Sequence, residues 1–264
     1  MHIRKLQIFF IIALTLGAVS VQSGTLTKEF HKTIDFPAGG DVMVKNTNGK
    51  IEMTSWDRQS VEVYAEIKIK GSGRDAKKAL DQVNIIVDKS GDRLRITPEY
   101  PDRRKGNGFW DWILGSHSAP YVDFYIKVPR EINPVVQSTN GGIKLSEING
   151  ETDAGTVNGG IKMEDMKGSV DASTTNGSIT VEVLRFNASD EIDLNTTNGA
   201  IKVNLPSQVK AYVKASTVNG AIHSDFELTI KGKILKKRLR GKINGGGGTI
   251  DLGTVNGSIS INEL

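Results

Sequence analysis

The stretch TVNGGIKM at residues 156–163 decides the fold, because close copies of it recur along the chain. Related phrases are TTNGSITV at 174–181, TTNGAIKV at 196–203 and TVNGSISI at 254–261. Seven Asn-Gly pairs have an Ile three residues after the Asn, and their Asn residues are Asn48, Asn140, Asn158, Asn176, Asn198, Asn219 and Asn256. Recurrence of a short motif at a near-constant interval is typical of stacked repeat proteins.

Apolar and polar residues alternate on both sides of each Asn-Gly pair. Besides the Ile, an apolar residue lies four before each Asn, and five of the seven pairs have a Thr two before the Asn. This alternation predicts β-strands with one buried face, so we expect the Ile and Thr positions to point inward. The Asn-Gly pair then marks a turn, where Gly tolerates a positive φ and Asn can bond the backbone. Ile148, Met166 and Leu184, eight after their Asn, hint at a short third side.

Two folds are compatible with this pattern. In a β-meander, Asn-Gly would form two-residue hairpins, whereas in a β-solenoid each unit is one coil and equivalent residues stack about 4.8 Å apart. From Asn140 onward the intervals between successive Asn residues are 18, 18, 22, 21 and 37 residues. Only the solenoid stacks like on like, so we predict an all-β, parallel β-solenoid with coils of 18–22 residues and stacked Asn side chains. Antiparallel hairpins at Asn158 and Asn176 would contradict it.

The N-terminus is typical of an export signal. MHIRK is basic, residues 6–19 form an apolar stretch, and AVS or VQS supplies small residues for cleavage, so we expect residues 1–23 to be removed. The alternative is a retained anchor, although the stretch is shorter than the roughly 20 residues of a membrane-spanning helix. The expected location is therefore extracytoplasmic, in the periplasm, at the cell surface or secreted. With no Cys in the chain, disulfides and thiolate sites are excluded.

We expect three segments. After the signal peptide at 1–23, residues 24–134 form an N-terminal β region with the first coil, a short capping helix near 73–84 and an aromatic loop. Residues 135–264 form the solenoid repeats, continuous with the preceding region. The chain stops directly after a repeat strand, so the C-terminal end of the stack should be bare or covered by a loop.

The phrase VKNTNGKIEMTSWDRQSVEVYAEI, the strand VDFYIKVPREI and the recurrent T-x-NG-x-I motif resemble the bacterial putative-adhesin family. The resemblance covers roughly residues 28–264. It implies an exported β-strand-repeat protein with a parallel β-solenoid domain and a largely unassigned function, and it supplies no catalytic residues. The chain departs from the family at an aromatic insertion, 99–120, and at a basic stretch, 231–242.

Both departures are candidate binding surfaces. The loop at 103–120 either contacts a membrane interface or a partner, or folds over the flank of the solenoid as a cover. The stretch at 231–242 has seven basic residues and no acid, and it either contacts anionic envelope polymers or forms an ordinary solvated hairpin. The candidate surface residues are Trp110, Trp112, Arg103, Arg104, Lys236, Lys237 and Arg238.

A row of carboxylates is the strongest indication in the sequence of a catalytic or ion-binding site. The residues five before four of the Asn positions are Asp153, Asp171, Asp193 and Asp251. Successive coils would bring the first three close together, as in glycosidase carboxylate pairs, or as an ion site. The third interpretation is a structural stripe, neutralised by a stripe of lysines at Lys144, Lys162 and Lys202. We favour the structural stripe because a flat face is a poor active site.

These observations predict an exported, non-catalytic β-solenoid that acts as an adhesin-like or envelope-associated binding and scaffold protein. No metal or cofactor is expected, because the His residues are scattered and no nucleotide-binding or metalloprotease motif is present. Expected partners are an envelope polymer, a glycan or a protein. Without Arg4 and Lys5, 32 basic residues face 30 acidic ones, which argues against nucleic acid. The alternatives are a polysaccharide-active β-helix enzyme and an envelope-stress or signalling accessory protein.

Overall fold

The computed structural model describes residues 14–16, 20–22, 24–71, 73–100, 120–229 and 237–264. They form one helix and 23 strands. The elements of the N-terminal part are β1 Leu14–Leu16, β2 Ser20–Gln22, β3 Thr25–Asp35, β4 Asp41–Lys45, β5 Ile51–Trp56, β6 Ser60–Lys70, α1 Arg74–Asp81, β7 Asn84–Ser90, β8 Arg93–Glu99 and β9 Tyr121–Pro129.

The repeats supply the remaining strands in a regular succession. They are β10 Asn133–Gln137, β11 Ile143–Ser146, β12 Thr152–Asn158, β13 Ile161–Lys167, β14 Val170–Asn176, β15 Ile179–Arg185, β16 Glu191–Asn198, β17 Ile201–Leu205, β18 Ala211–Asn219, β19 Ile222–Ser224, β20 Leu228–Thr229, β21 Arg238–Ile243, β22 Gly248–Asn256 and β23 Ile259–Glu263. Each Asn-Gly pair joins a strand of one sheet to a strand of the other.

Two sheets hold all of these strands. The first sheet has twelve strands, in the order β1-β3-β6-β9-β5-β11-β13-β15-β17-β23-β19, with β2 beside β3. The second has eleven, in the order β20-β21-β18-β22-β16-β14-β12-β10-β4-β8-β7. Equivalent strands of successive coils pair in parallel: β12, before an Asn-Gly pair, pairs with β14, and β13, after it, pairs with β15. The chain therefore forms a β-solenoid-like stack, and the meander alternative is wrong.

The order of the stack differs from the order of the chain. Asn140, Asn158, Asn176 and Asn198 stack in succession, but the next neighbour of Asn198 is Asn256, and Asn219 lies beyond it. The C-terminal strands β22 and β23 are thus inserted between the preceding coils. The expectation that the C-terminal strand ends the stack, bare or covered by a loop, is wrong, because β22 and β23 have a parallel neighbour on each side.

The core lies between the two sheets and follows the predicted alternation. Six of the seven repeat Ile residues are at most 2% exposed, and Ile222 at the edge strand β19 is partly buried. The third side exists only as isolated bridges, such as Asn149 to Lys167. Leu184 is exposed there, because a register shift between β13 and β15 places Val183 opposite Met166.

Antiparallel strands and the helix close the stack. At one end β3 pairs with β6 and β6 with β9, while β7 and β8 form a hairpin in the other sheet. Helix α1 packs on β3 and β6 and buries Ala76, Ala79 and Leu80. The Lys28 ammonium donates a hydrogen bond to the Val83 carbonyl, 2.9 Å away, just beyond the helix. At the other end β21 pairs antiparallel with β18, so both ends of the second sheet finish in a hairpin.

The threonine two residues before the Asn ties neighbouring coils together. Thr174 is 6% exposed, and its hydroxyl donates to the Gly159 carbonyl of the adjacent coil at 2.9 Å. The equivalent bond is made by Thr156, Thr196, Thr217 and Thr254. The inward direction predicted for this position is therefore confirmed.

The Asn side chains form one continuous ladder of amide hydrogen bonds. Each Nδ2 donates to the Oδ1 of the next Asn at 2.8 to 2.9 Å, and the bonds link all seven Asn residues from Asn48 to Asn219. An amide suits this position because it carries both a hydrogen-bond donor and an acceptor. Each Asn can therefore bond to identical Asn side chains in the coils on either side.

The glycine of the pair is needed for a reason other than the one expected. Of the seven glycines that follow these Asn residues, only Gly49 has a positive φ, at 112°. A Cβ on Gly177 would instead lie 1.9 Å from the Gly159 carbonyl oxygen of the adjacent coil. The corners of neighbouring coils approach too closely for any side chain, so the requirement is steric.

Candidate functional site

A groove of about 860 Å³ lies on the outer face of the first sheet, near its N-terminal end. Strand register places five side chains in one row across it, from β3 through β6, β9 and β5 to β11: His31, Tyr64, Tyr125, Glu52 and Lys144. These are the outward positions of the alternating strands, whose other positions are buried. A second row beside it includes Glu62 and Lys127 as well as the short side chains of Thr54 and Ser146.

Two tyrosines stand at the centre of the first row. The ring centroids of Tyr64 and Tyr125 are 5.7 Å apart, with an angle of 38° between the planes. The Lys50 ammonium lies 4.6 Å from the centroid of Tyr125 and is held by Glu52 at 2.6 Å. Burial raises the pKa of Tyr64 to about 12, and the charges of Glu66 and Glu29 add to the effect. Tyr64 is therefore neutral at physiological pH, and the two rings stand side by side on neighbouring strands.

The carboxylates of the groove are held by basic neighbours. Glu62 accepts from Lys127, whose Nζ is 2.9 Å from Oε1, and the His31 Nε2 is 3.6 Å from Oε2. The hydrogen bond from Lys127 lowers the pKa of Glu62, with a smaller contribution from His31. The Glu62 carboxylate is thus ionised, ordered and only partly exposed. The groove offers an ordered acceptor beside an aromatic pair.

The lysine stripe begins at this groove and has its counter-ion on the same sheet. The Lys144 ammonium lies 2.9 Å from Glu164, and Lys162 binds the same carboxylate. Lys202 stacks two strands further along this face. The expectation that these lysines neutralise the aspartate row is wrong, because the aspartates lie on the other sheet.

The aspartate row occupies the outer face of the second sheet. Asp153, Asp171 and Asp193 are in register on adjacent strands, as predicted, and Asp251 follows Asp193 directly. Burial raises the pKa of Asp171, and the charges of Asp193 and Asp153 raise it further. Lys214 is in register with Asp251 and forms an ion pair with it. The row is a ladder of four like charges with a cation at one end.

Most of the binding residues predicted from the sequence lie outside the described part of the chain. They are Trp110, Trp112, Arg103, Arg104 and Lys236. Lys237 precedes β21 and donates to the Val218 carbonyl, and Arg238 begins β21 opposite Ser216. Both lie at the end of the second sheet opposite the β7–β8 hairpin. Their role in binding stays a prediction.

The tyrosine pair is the feature that sequence reasoning missed. The alternation in SVEVYAEIKIK and YVDFYIKVP already places Tyr64 and Tyr125 on exposed faces. The sequence does not reveal that β6 and β9, joined through α1 and the β7–β8 hairpin, are neighbours in register. Within the described residues, no cluster of His, Asp and Glu has the arrangement of a metal site. The described residues also contain no helix long and apolar enough to cross a membrane.

Fold and site together define a class: an all-β stack of parallel coils that carries a polar groove on one face. The sequence profile of the Toastrack DUF4097 family matches residues 131–262, half of the chain. The chain belongs to this family, and the resemblance to adhesin-like proteins drawn from the sequence is confirmed. No curated protein sequence matches the chain.

Solved structures of low sequence identity align with most of the chain, and the first of them has a similar fold. A "putative cell adhesion protein" from Clostridium sporogenes is 13% identical, with a TM-score of 0.54, over 90% of this chain and 100% of that one. A "putative adhesin" from Bacteroides fragilis is 11% identical, with a TM-score of 0.29, over 90% of this chain and 97% of that one. A "putative lipid binding protein" from Parabacteroides distasonis is 12% identical, with a TM-score of 0.29, over 89% and 96%.

Proposed function

We propose that the chain is an exported, non-catalytic binding and scaffold protein of the cell envelope, built on coils of 18–22 residues. The single observation that carries the proposal is the groove on a rigid face. Its side chains come from five strands, so their relative positions follow from backbone hydrogen bonds rather than from loops. Adhesion, the role named for the Clostridium sporogenes protein, belongs to the same class of function.

The stack itself suits a scaffold. Neighbouring coils are joined by backbone ladders, by the threonine bonds and by the Asn ladder, so little conformational entropy is lost when a partner binds. The predicted surfaces at 103–120 and 231–242 would add further contacts. A long face with several weak contact points fits an extended envelope polymer better than a small metabolite.

The experiment has two parts. Fractionation of expressing cells, with N-terminal sequencing of the protein recovered, tests export and cleavage after residue 23. Sedimentation of the purified chain with isolated envelope fractions tests binding, with a deletion of 103–120 and the double variant Lys237→Ala/Arg238→Ala as arms that assign the surface. A chain that stays in the cytoplasm, or that sediments with no envelope fraction, would refute the proposal.

One observation favours a second candidate, a polysaccharide-active enzyme. Four stacked carboxylates, three of which have a raised pKa, are the type of group that can act as a general acid. Reducing-sugar release from envelope polysaccharide would support this function, and it should then disappear in Asp171→Ala and Asp193→Ala. Unchanged release in both variants would exclude the row as its source.

A further inference from the structure

The side chains that line the groove limit the class of ligand that it can bind. Its lining carries the carboxylates of Glu29, Glu52 and Glu62 beside the ammonium groups of Lys127 and Lys144 and the imidazole of His31. A phosphate-rich polymer would meet three carboxylates there, and like charges in contact are unfavourable. An acyl chain would have to bury ionised side chains along an open wall, which costs far more than the apolar contact gains. Both chemistries fit the groove poorly.

A saccharide fits the same features. The tyrosine rings offer apolar faces against which the C–H groups of a sugar ring can pack, with hydroxyls at the ring edge. Carboxylates accept several hydrogen bonds, and ammonium groups donate them, so both can contact sugar hydroxyls. The volume of about 860 Å³ lies within the range of ligand pockets, roughly 300–1,000 Å³.

The polar groups are also ordered before any ligand arrives. Glu62 is held by Lys127, Glu52 by Lys50, and Lys144 by Glu164. Side chains that are already fixed lose little rotamer entropy on binding, which favours weak, multi-hydroxyl ligands. Each carboxylate keeps lone pairs beyond those used by its lysine, so the ion pairs leave acceptors for hydroxyl groups.

We propose that this groove binds a neutral oligosaccharide, with Tyr64 and Tyr125 as the platform and Glu52 and Glu62 as hydroxyl acceptors. This inference rests on the proposed function and names the ligand class of its site. The stacked sheet supplies the platform from two strands that are distant in sequence, and the row from His31 to Lys144 sets the direction in which a short glycan would lie.

The test is calorimetric titration of the purified chain with cellotetraose, chitotetraose, xylotetraose and maltotetraose. At least one should bind, and Tyr125→Ala should weaken that binding at least tenfold. Tyr125→Phe keeps the ring and should bind within about threefold of the unaltered chain. Tyr212→Ala is the matched control, because Tyr212 is an exposed strand tyrosine with Lys242 5.0 Å from its centroid, but it lies on the other sheet.

Each outcome is decisive. Binding of none of the four saccharides overturns the proposal, as does binding that Tyr125→Ala leaves unchanged. Binding to phosphatidylglycerol vesicles alone, lost in Tyr125→Ala, also overturns it, because the ligand would then be a lipid headgroup. Circular dichroism verifies the fold of each variant, and Glu62→Ala, predicted to weaken binding at least threefold, provides a second readout should Tyr125→Ala misfold.

The two proposals can fail separately. If the chain sediments with envelope fractions but binds no saccharide, the groove inference falls and the envelope function stands. If the chain binds a saccharide but does not associate with envelope fractions, the groove inference stands and the envelope function falls. Loss of envelope association in Tyr125→Ala, but not in Tyr212→Ala, supports both proposals together.

Discussion

Replacing Gly177 by Ala tests whether the corner glycine is required by packing. The added Cβ would lie 1.9 Å from the Gly159 oxygen and 2.5 Å from its carbonyl carbon. Ordinary contacts of a Cβ begin near 3.4 Å, so the overlap with the oxygen is about 1.5 Å. The obstacle is backbone, which cannot rotate away as a side chain can. The two coils therefore have to separate at this corner.

The cost follows from the bonds that cross this corner. Two are backbone bonds, from Gly159 to Asn176 at 3.1 Å and from Ile161 to Ser178 at 2.9 Å. Two are side-chain bonds, one from Thr174 and one in the Asn ladder. At about 1 kcal/mol for each bond, opening the corner should lower the free energy of unfolding by about 4 kcal/mol.

The matched control is Gly155→Ala. Its Cβ would lie 3.7 Å from the Ser173 hydroxyl, an ordinary contact, and its φ is not positive. This variant should gain about 0.4–1 kcal/mol, because Ala reduces the entropy of the unfolded chain. Urea unfolding followed by far-UV circular dichroism measures both changes as shifts in midpoint. If Gly177→Ala costs less than about 1 kcal/mol, the steric account is wrong.

Three further predictions concern the coils. Thr174→Val should lower the free energy of unfolding, measured in urea, by about 1–2 kcal/mol, because it removes the hydrogen bond of a buried hydroxyl. Thr175 faces outward, so Thr175→Val should change that free energy by less than about 0.5 kcal/mol. Equal losses in the two variants would contradict this prediction. Asp171→Asn should stabilise the chain by about 0.2–1 kcal/mol at pH 7 by removing like-charge contacts. Because the folded pKa of this carboxyl is raised, its penalty grows as pH rises above the unfolded value of about 3.9, so the advantage should vanish below that pH; an advantage independent of pH would refute the repulsion. Removal of 248–264 should abolish cooperative unfolding, and an unchanged melting transition would contradict the inserted coil.

The local parts of this fold could be predicted because they repeat. Alternation and the fixed offset from Asn to Ile identify the inward positions without any knowledge of the partner strand. Stacking of Asp153 on Asp171, and of Asn158 on Asn176, follows once like is assumed to stack on like. These expectations needed only the period of the sequence and the geometry of parallel strands.

Long-range order could not be predicted in the same way. The position of Asp251 beside Asp193 depends on which coil the C-terminal strand joins, and every coil presents nearly the same edge. The role of Gly177 was mistaken because a sequence shows which residue is small, but not what approaches it. The groove needs the register between Tyr64 and Tyr125, which is set by antiparallel pairing across a long connection.

The inserted coil distinguishes this stack from a simple solenoid. In a simple solenoid each added repeat lies on the last, and stability grows by one interface at a time. Here β22 joins β16 to β18 in one sheet, and β23 joins β17 to β19 in the other. The C-terminal strands therefore complete two interfaces in each sheet at once, and they also complete the Asn ladder and the aspartate row. Since Asp251 and Asn256 lie on β22, the outer face of the second sheet and the Asn ladder reach their full length only when the last strands are in place.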